Sequence, residues 1–194
     1  MTRARIALFG GTFDPIHWGH LLLAESARVS FKLDRVLFIP TGTPPHKTPA
    51  IASAAQRLRM LRLATRSNPF FEVSDWEVRQ KRMVYSYETI AHVQQVYPRA
   101  HLFFIVGTDM LKIVEQWKKG RTLLDQCVFL AAERPEVPWA RLPAGVRRKA
   151  RRIEWPSVAL ASHEIRNRLR RRQSIRYQVP DPVERYIRTH RVYL

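Results

Sequence analysis

Leu8-Phe9-Gly10-Gly11-Thr12-Phe13-Asp14-Pro15-Ile16-His17-Trp18-Gly19-His20 opens a chain of 194 residues and decides how the rest is read. Ahead of it, Ala4 to Phe9 is a short apolar run of strand type. Behind it, Leu21 to Lys32 carries Leu22, Leu23, Ser26, Ala27, Val29 and Phe31 at the spacing of an amphipathic helix. Strand, glycine turn and helix together bring backbone N–H groups and a helix N-terminus to face an anion. Gly10 and Gly11 remove side chains that would block a phosphate and permit positive φ. His17 and His20 open the helix three residues apart, on adjoining parts of one surface. An imidazole donates a hydrogen bond to a phosphate oxygen, and when protonated it adds charge where a transition state needs it. No Gly-Lys-Ser/Thr follows the glycines, so the stretch is not a P-loop. Taken singly, two glycines are a tight turn and a histidine is a helix cap. In this order, after a strand, they point to a phosphate site.

Working outward, Arg35 to Pro40 reads as a second buried strand, stopped by proline. Thr41 to Pro49 is a proline-stiffened loop in which His46 and Lys47 offer two cationic or hydrogen-bonding heads. Ser53 to Arg66 is a helix with Leu58, Leu61 and Leu63 among its apolar positions and arginines between them. A strand is expected over Phe70 to Glu77 and a helix over Tyr85 to Tyr97, ended by Pro98. His101 to Val106 is the near-continuous apolar run of a central parallel strand. Gly107-Thr108-Asp109 follows, then a helix containing Trp117, so the geometry of the opening motif repeats. Ligands of open α/β sheets bind beyond the carboxyl ends of the strands, where strand order reverses, and both glycine turns fall at such ends. Asp109 suits a ribose diol, and alternatively caps its helix.

Further on, Cys127 to Ala132 is another strand, and Pro135, Pro138 and Pro143 mark a loop. Ile153 to Trp155 reads as the last short strand. Ala161 begins a helix that continues to Arg172, with Ser162 as its N-cap. Arg166, four residues along on the same side, makes a second anion site with that helix end. Pro180 to His190 is a final helix with Val183, Tyr186 and Ile187 as its apolar face. No internal repeat is evident. The alternation of elements predicts a doubly wound, Rossmann-like α/β fold with helices on both faces of a parallel sheet. The single domain spans 1–194, its C-terminal helical portion covering about 160–194.

Composition bounds the function. A hydrophobic content of 45% suits a folded globular protein. No run of 18 apolar residues suggests a membrane span, and no secretory leader is recognisable. Cys127 has no partner, and a cytoplasmic location is expected. The net charge is +18 and uneven: residues 141–194 hold 15 Lys+Arg against 4 Asp+Glu. Such a surface gathers polyanions, ATP and nucleic acid alike. Neither the interleaving of aromatic and basic residues typical of RNA recognition nor a zinc-finger spacing is present, so no specific nucleic acid is expected.

The opening stretch resembles the signature of the nucleotidylyltransferases, and most closely that of the bacterial nicotinate-nucleotide adenylyltransferases. Further patterns match that family in order: Pro44-Pro45-His46-Lys47, Tyr85-Ser86 with Thr89, Phe104 to Asp109 with Trp117, Glu133-Arg134-Pro135, Ile165-Arg166, and Tyr177-Gln178-Val179-Pro180 with Tyr186-Ile187. The resemblance implies transfer of AMP from ATP to nicotinate mononucleotide, with Mg²⁺ held mainly by ATP phosphates and water. It implies that His17, His20 and Arg166 are catalytic. ATP and phosphate contacts fall on Gly10, Gly11, Thr12, Phe13, Gly19, His46, Lys47, Gly107, Asp109, Arg134 and Ser162. Tyr85, Ser86 and Trp117 meet the nicotinate mononucleotide. The chain departs from the family's usual Ser-Ser-Thr at Ala161-Ser162-His163, from Ser-Tyr-Thr at Val84-Tyr85-Ser86, and from Gly-Ala-Asp at Gly107-Thr108-Asp109. Other acceptors (nicotinamide mononucleotide, phosphopantetheine) and a basic nucleic-acid-binding protein on the same fold stay open as alternatives, as does the oligomeric state.

Overall fold

The computed structural model describes residues 3–43 and 50–194. Among these residues six strands form one sheet: β1 (Arg5–Gly11), β2 (Arg35–Pro40), β3 (Phe71–Val73), β4 (His101–Gly107), β5 (Val128–Ala132) and β6 (Ala150–Arg152). Their order is β3-β2-β1-β4-β5-β6 and every neighbouring pair is parallel. Among the described residues, nine α-helices connect and flank them: α1 (Trp18–Ser30), α2 (Ala54–Thr65), α3 (Trp76–Arg79), α4 (Ser86–Val96), α5 (Thr108–Lys112), α6 (Gly120–Gln126), α7 (Ala144–Lys149), α8 (Ser162–Arg170) and α9 (Asp181–Thr189). This is the doubly wound sheet expected from the alternation of elements.

The strands alternate their side chains between two cores, one on each face of the sheet. Ala7, Phe9, Val36, Phe38, Phe103 and Ile105 face a core shared with α1, α2 and the C-terminal helices. Ile6, Leu8, Leu37, Ile39, Phe104 and Val106 face the other, closed by Ile90 and Val93 of α4, Leu111, Leu123 and Val146. Ile165, Leu169, Val183 and Ile187 are fully buried in the first core, so the C-terminal helices are built onto the same sheet. Strand order reverses between β1 and β4, whose register pairs Phe9 with Ile105. Gly11 and Gly107 therefore end adjacent strands at one level, at the switch point where such sheets bind ligands.

Several local expectations shift. The third strand stops at Val73, because Ser74 onward turns into the short α3 instead of extending to Glu77. The last strand is Ala150–Arg152, upstream of the expected Ile153 to Trp155. α7 occupies part of the proline-marked loop, with Pro143 as its N-cap, a position where the missing N–H costs nothing. Trp117 lies outside any helix: it follows a 3₁₀ turn (Val114–Gln116) in extended conformation. No helix among the described residues is long and apolar enough to cross a membrane.

Candidate active site

The opening motif forms the turn between β1 and α1, and its two glycines differ in what they do. Both close β1, and neither has positive φ; the left-handed residue of the turn is Phe13, at φ 49°. A Cβ on Gly11 would lie 3.0 Å from the Phe13 ring, so a side chain there would press on the ring folded over it. Among the described residues a Cβ on Gly10 would meet only Phe104, at an ordinary 3.8 Å. Protein packing gives no reason for glycine at that position.

His17 caps α1 and His20 lies in its first turn, so the helix starts three residues earlier than its apolar pattern begins. Their rings stack at 3.7 Å. The His17 backbone N–H donates to His20 Nδ1 at 3.3 Å, which places the proton of the neutral His20 ring on Nε2. Phe13 packs edge-on against His20 from another side, at 5.1 Å. Gly19 makes room for this arrangement, because a Cβ there would stand 3.1 Å from His17 Nδ1. His17 is 5% exposed, and burial, aided by the nearby Arg134 charge, pulls its pKa down to about 4. Burial thus favours the neutral ring in this structure; of the two capacities expected of an imidazole here, hydrogen bonding and charge, the environment of His17 favours the first. Its buried Nδ1 has no partner among the described residues, and the same is true of Arg166 Nε. Buried polar atoms without partners are rare and ask for an explanation.

The second glycine turn comes to the same edge. Gly107 is the N-cap of α5, so Asp109 is a helix residue and not the cap, and its carboxylate folds back over the glycine. A Cβ on Gly107 would clash with Asp109 Oδ1 at 2.2 Å and press on Arg134 Nε at 3.3 Å. Thr108, fully buried, accepts the Arg134 N–H at 2.9 Å and donates to the Val137 carbonyl at 2.6 Å, fixing the loop that carries Arg134.

From the C-terminal helices, Arg166 Nη1 donates to the Asp14 carbonyl at 2.6 Å. Ser162 is the first residue of α8, not its cap: Ala161 holds that place, and the Ser162 hydroxyl donates to the Pro15 carbonyl at 2.9 Å. His163, which stands where the family usually has threonine, is exposed. Tyr85 and Ser86 begin α4, and Lys118, next to Trp117, stands 4.6 Å over the Tyr85 ring. Trp117 packs edge-on against Phe104 at 6.3 Å, the same ring that borders Gly10. This second cluster thus adjoins the first across Phe104. His46 and Lys47 lie outside the described residues.

Two residues that hold the site escaped the sequence reading. Arg57 is 1% exposed and donates to the carbonyls of Thr12, Thr41, Gly42 and Ala52, tying the loops after β1 and β2 together. A signal existed: Arg57 stands at i−3, i−4 and i−7 from the buried Met60, Leu61 and Ala64, on the apolar stripe of α2. Asp14, 5% exposed, accepts N–H groups from Ile51 at 2.9 Å and Ala52 at 3.1 Å and the Tyr193 hydroxyl at 2.7 Å.

Comparison with known proteins agrees with this geometry. Residues 8–176 match the cytidylyltransferase-like family model. A Moorella thermoacetica protein named "Probable nicotinate-nucleotide adenylyltransferase" is 41% identical over 198 residues, covering 97% of this chain and 91% of its own. A Thermus thermophilus protein of the same name is 41% identical over 189 residues, covering 97% and 99%. The Plasmodium falciparum nicotinic acid mononucleotide adenylyltransferase complexed with NaAD superposes with a TM-score of 0.82 over 98% of both chains, at 17% identity. That structure speaks for the fold. With relatives at this identity over nearly its whole length, the chain belongs to the nicotinate-nucleotide adenylyltransferase family.

Proposed function

We propose that this chain transfers AMP from ATP to nicotinate mononucleotide, releasing nicotinate adenine dinucleotide and pyrophosphate. A phosphate oxygen of the mononucleotide attacks the α-phosphorus of ATP. The bond from that phosphorus to the bridging oxygen of the β-phosphate breaks, and pyrophosphate leaves with the electron pair. Alignment and charge stabilisation supply the catalysis. The observation that carries this reading is a pair of buried nitrogens, His17 Nδ1 and Arg166 Nε, without partners among the described residues at the carboxyl edge of β1. A phosphate oxygen is the acceptor that the Arg166 Nε–H calls for, and the one that His17 Nδ1 calls for in the tautomer that carries its proton there.

In this reading the neutral His17, together with His20, gives hydrogen bonds to the reacting phosphates and holds their geometry. Gly10, free of any packing need for glycine, leaves space for the phosphates to reach the first turn. Thr12, Phe13 and Gly19 shape that turn, and Arg134, Arg166 and Ser162 surround the triphosphate. The surplus of positive charge suits a polyphosphate substrate. Gly107 and Asp109 receive the adenosine ribose. Tyr85, Ser86 and Trp117 meet the nicotinate ring and carboxylate, and His46 and Lys47 add phosphate contacts. Among the described residues no group of three or more His, Cys, Asp or Glu is placed to hold a metal. Mg²⁺ would be held mainly by the ATP phosphates and water, where it would offset the triphosphate charge. The setting is the cytoplasm, in keeping with a single buried, free Cys127.

The test is pyrophosphate release from ATP and Mg²⁺ with nicotinate mononucleotide, nicotinamide mononucleotide and phosphopantetheine in parallel. Preference for the first is expected. Release only with phosphopantetheine would replace the acceptor, and tight, salt-steep RNA binding without turnover would replace the function.

A further inference from the structure

The chain ends in a strained conformation that its local sequence does not explain. After α9 the Val192 N–H donates to the Ile187 carbonyl at 3.0 Å across Arg191, whose φ is 50°, which is the usual way a helix is closed by a left-handed residue. Two residues later Tyr193 is left-handed again, at φ 72°. For a bulky residue other than glycine that conformation is uncommon, and at a buried position its surroundings are the place to look for the cause. Here the surroundings are the first core, where Tyr193 is 9% exposed, and one hydrogen bond that spans almost the entire chain.

That bond runs from the Tyr193 hydroxyl to Asp14 Oδ1, at 2.7 Å. Ala52 N–H shares the same oxygen, while Ile51 N–H bonds Oδ2. The carboxylate sits among two arginines, yet Arg166 does not pair with it closely: the guanidinium stands 3.8 Å from Oδ2 and instead donates to the Asp14 main-chain carbonyl. A buried carboxylate needs its lone pairs filled. With the phenol present the need is met by neutral donors. Without it, Oδ1 keeps only the Ala52 N–H. Arg166, 3.8 Å from Oδ2, is then drawn inward into a full ion pair.

We propose that Tyr193, the penultimate residue, is a positioning residue for the transfer reaction: its hydroxyl satisfies Asp14 and thereby leaves the Arg166 guanidinium available to the ATP phosphates. This rests on the triphosphate role given to Arg166 above. Burial raises the phenol pKa, so Tyr193 remains a donor throughout the working pH range.

The experiment compares wild type, Y193F, R166Q and the double variant for kcat, both KM values, equilibrium ATP binding and thermal midpoint. Y193F removes one oxygen and keeps the packing. The expected result is an ATP KM raised about tenfold, a nicotinate mononucleotide KM within about twofold of wild type, and less than about a twofold further effect in the R166Q background. Losses that multiply in the double variant, or both KM values rising together, would mean that Tyr193 only stabilises the fold. Were Y193F too unstable for kinetics, the rise of its melting temperature on adding ATP decides: a smaller rise than in wild type supports the proposal, an equal rise overturns it. A wild-type chain that uses no acceptor would refute the function and not this link, since ATP binding by Y193F still reads it.

Discussion

Glu77 carries the sharpest stability prediction. It lies on α3, 7% exposed, accepting one hydrogen bond at 2.6 Å from Thr89 of α4, the helix that begins at Tyr85 and Ser86. Its backbone carbonyl presses against Gly42, where a Cβ would sit at 2.6 Å, so α3 is wedged between the loop after β2 and α4. Burial, opposed by the Thr89 bond and helped by the nearby Glu88 charge, raises the Glu77 pKa from 4.5 to about 7. Between those values the folded protein keeps a proton that the unfolded chain has released, so stability is full below 4.5 and falls as pH rises through about 7. The gap corresponds to about 3 kcal/mol once Glu77 is ionised in both states. Glu77→Gln keeps the acceptor for Thr89 and removes the ionisation. Urea unfolding of both proteins should show the variant gaining about 3 kcal/mol relative to wild type at about pH 8.5 and under about 1 kcal/mol at about pH 5. Any unsatisfied amide hydrogen of the new glutamine adds a constant offset, so the slope with pH is diagnostic. A difference between variant and wild type that does not change with pH would refute the buried-acid account.

His20→Ala should lower kcat at least about 100-fold while ATP affinity changes less than about threefold, measured by steady-state kinetics and titration; near-normal turnover would remove His20 from the mechanism. Gly10→Ala meets no protein atom closer than 3.8 Å, so its thermal midpoint should match wild type while turnover falls. A loss of about tenfold or more is expected, and full activity would refute close approach of a phosphate to Gly10. Trp117→Ala should raise the KM for nicotinate mononucleotide and leave that for ATP unchanged. Equal effects on both would reduce Trp117 to its edge-on packing against Phe104 and Phe129.

The doubly wound sheet, the two histidines on one helix start and the glycine turns were all legible in the sequence. Each rests on short-range patterns: apolar runs for β1, β2 and β4, turn chemistry at the strand ends, and spacing within one helical turn. Where those patterns were weak the reading slipped. α3 follows too short a strand for alternation to reveal its end, and Trp117 leaves a helix that breaks after one turn. Charge states and partners needed the tertiary structure. Nothing local distinguishes His17, buried and neutral, from His20, or tells that Asp14 bonds a tyrosine 179 residues away. Ser162 looked like a cap, but its hydroxyl turns to Pro15 in the opening loop. Arg57 read only as one of the arginines between the apolar positions of its helix, although the core closes over it and four carbonyls satisfy it. Periodicity is a property of neighbouring residues and is written along the chain. Desolvation and hydrogen-bond satisfaction depend on which distant segments fold against a group, and only the packed molecule determines that.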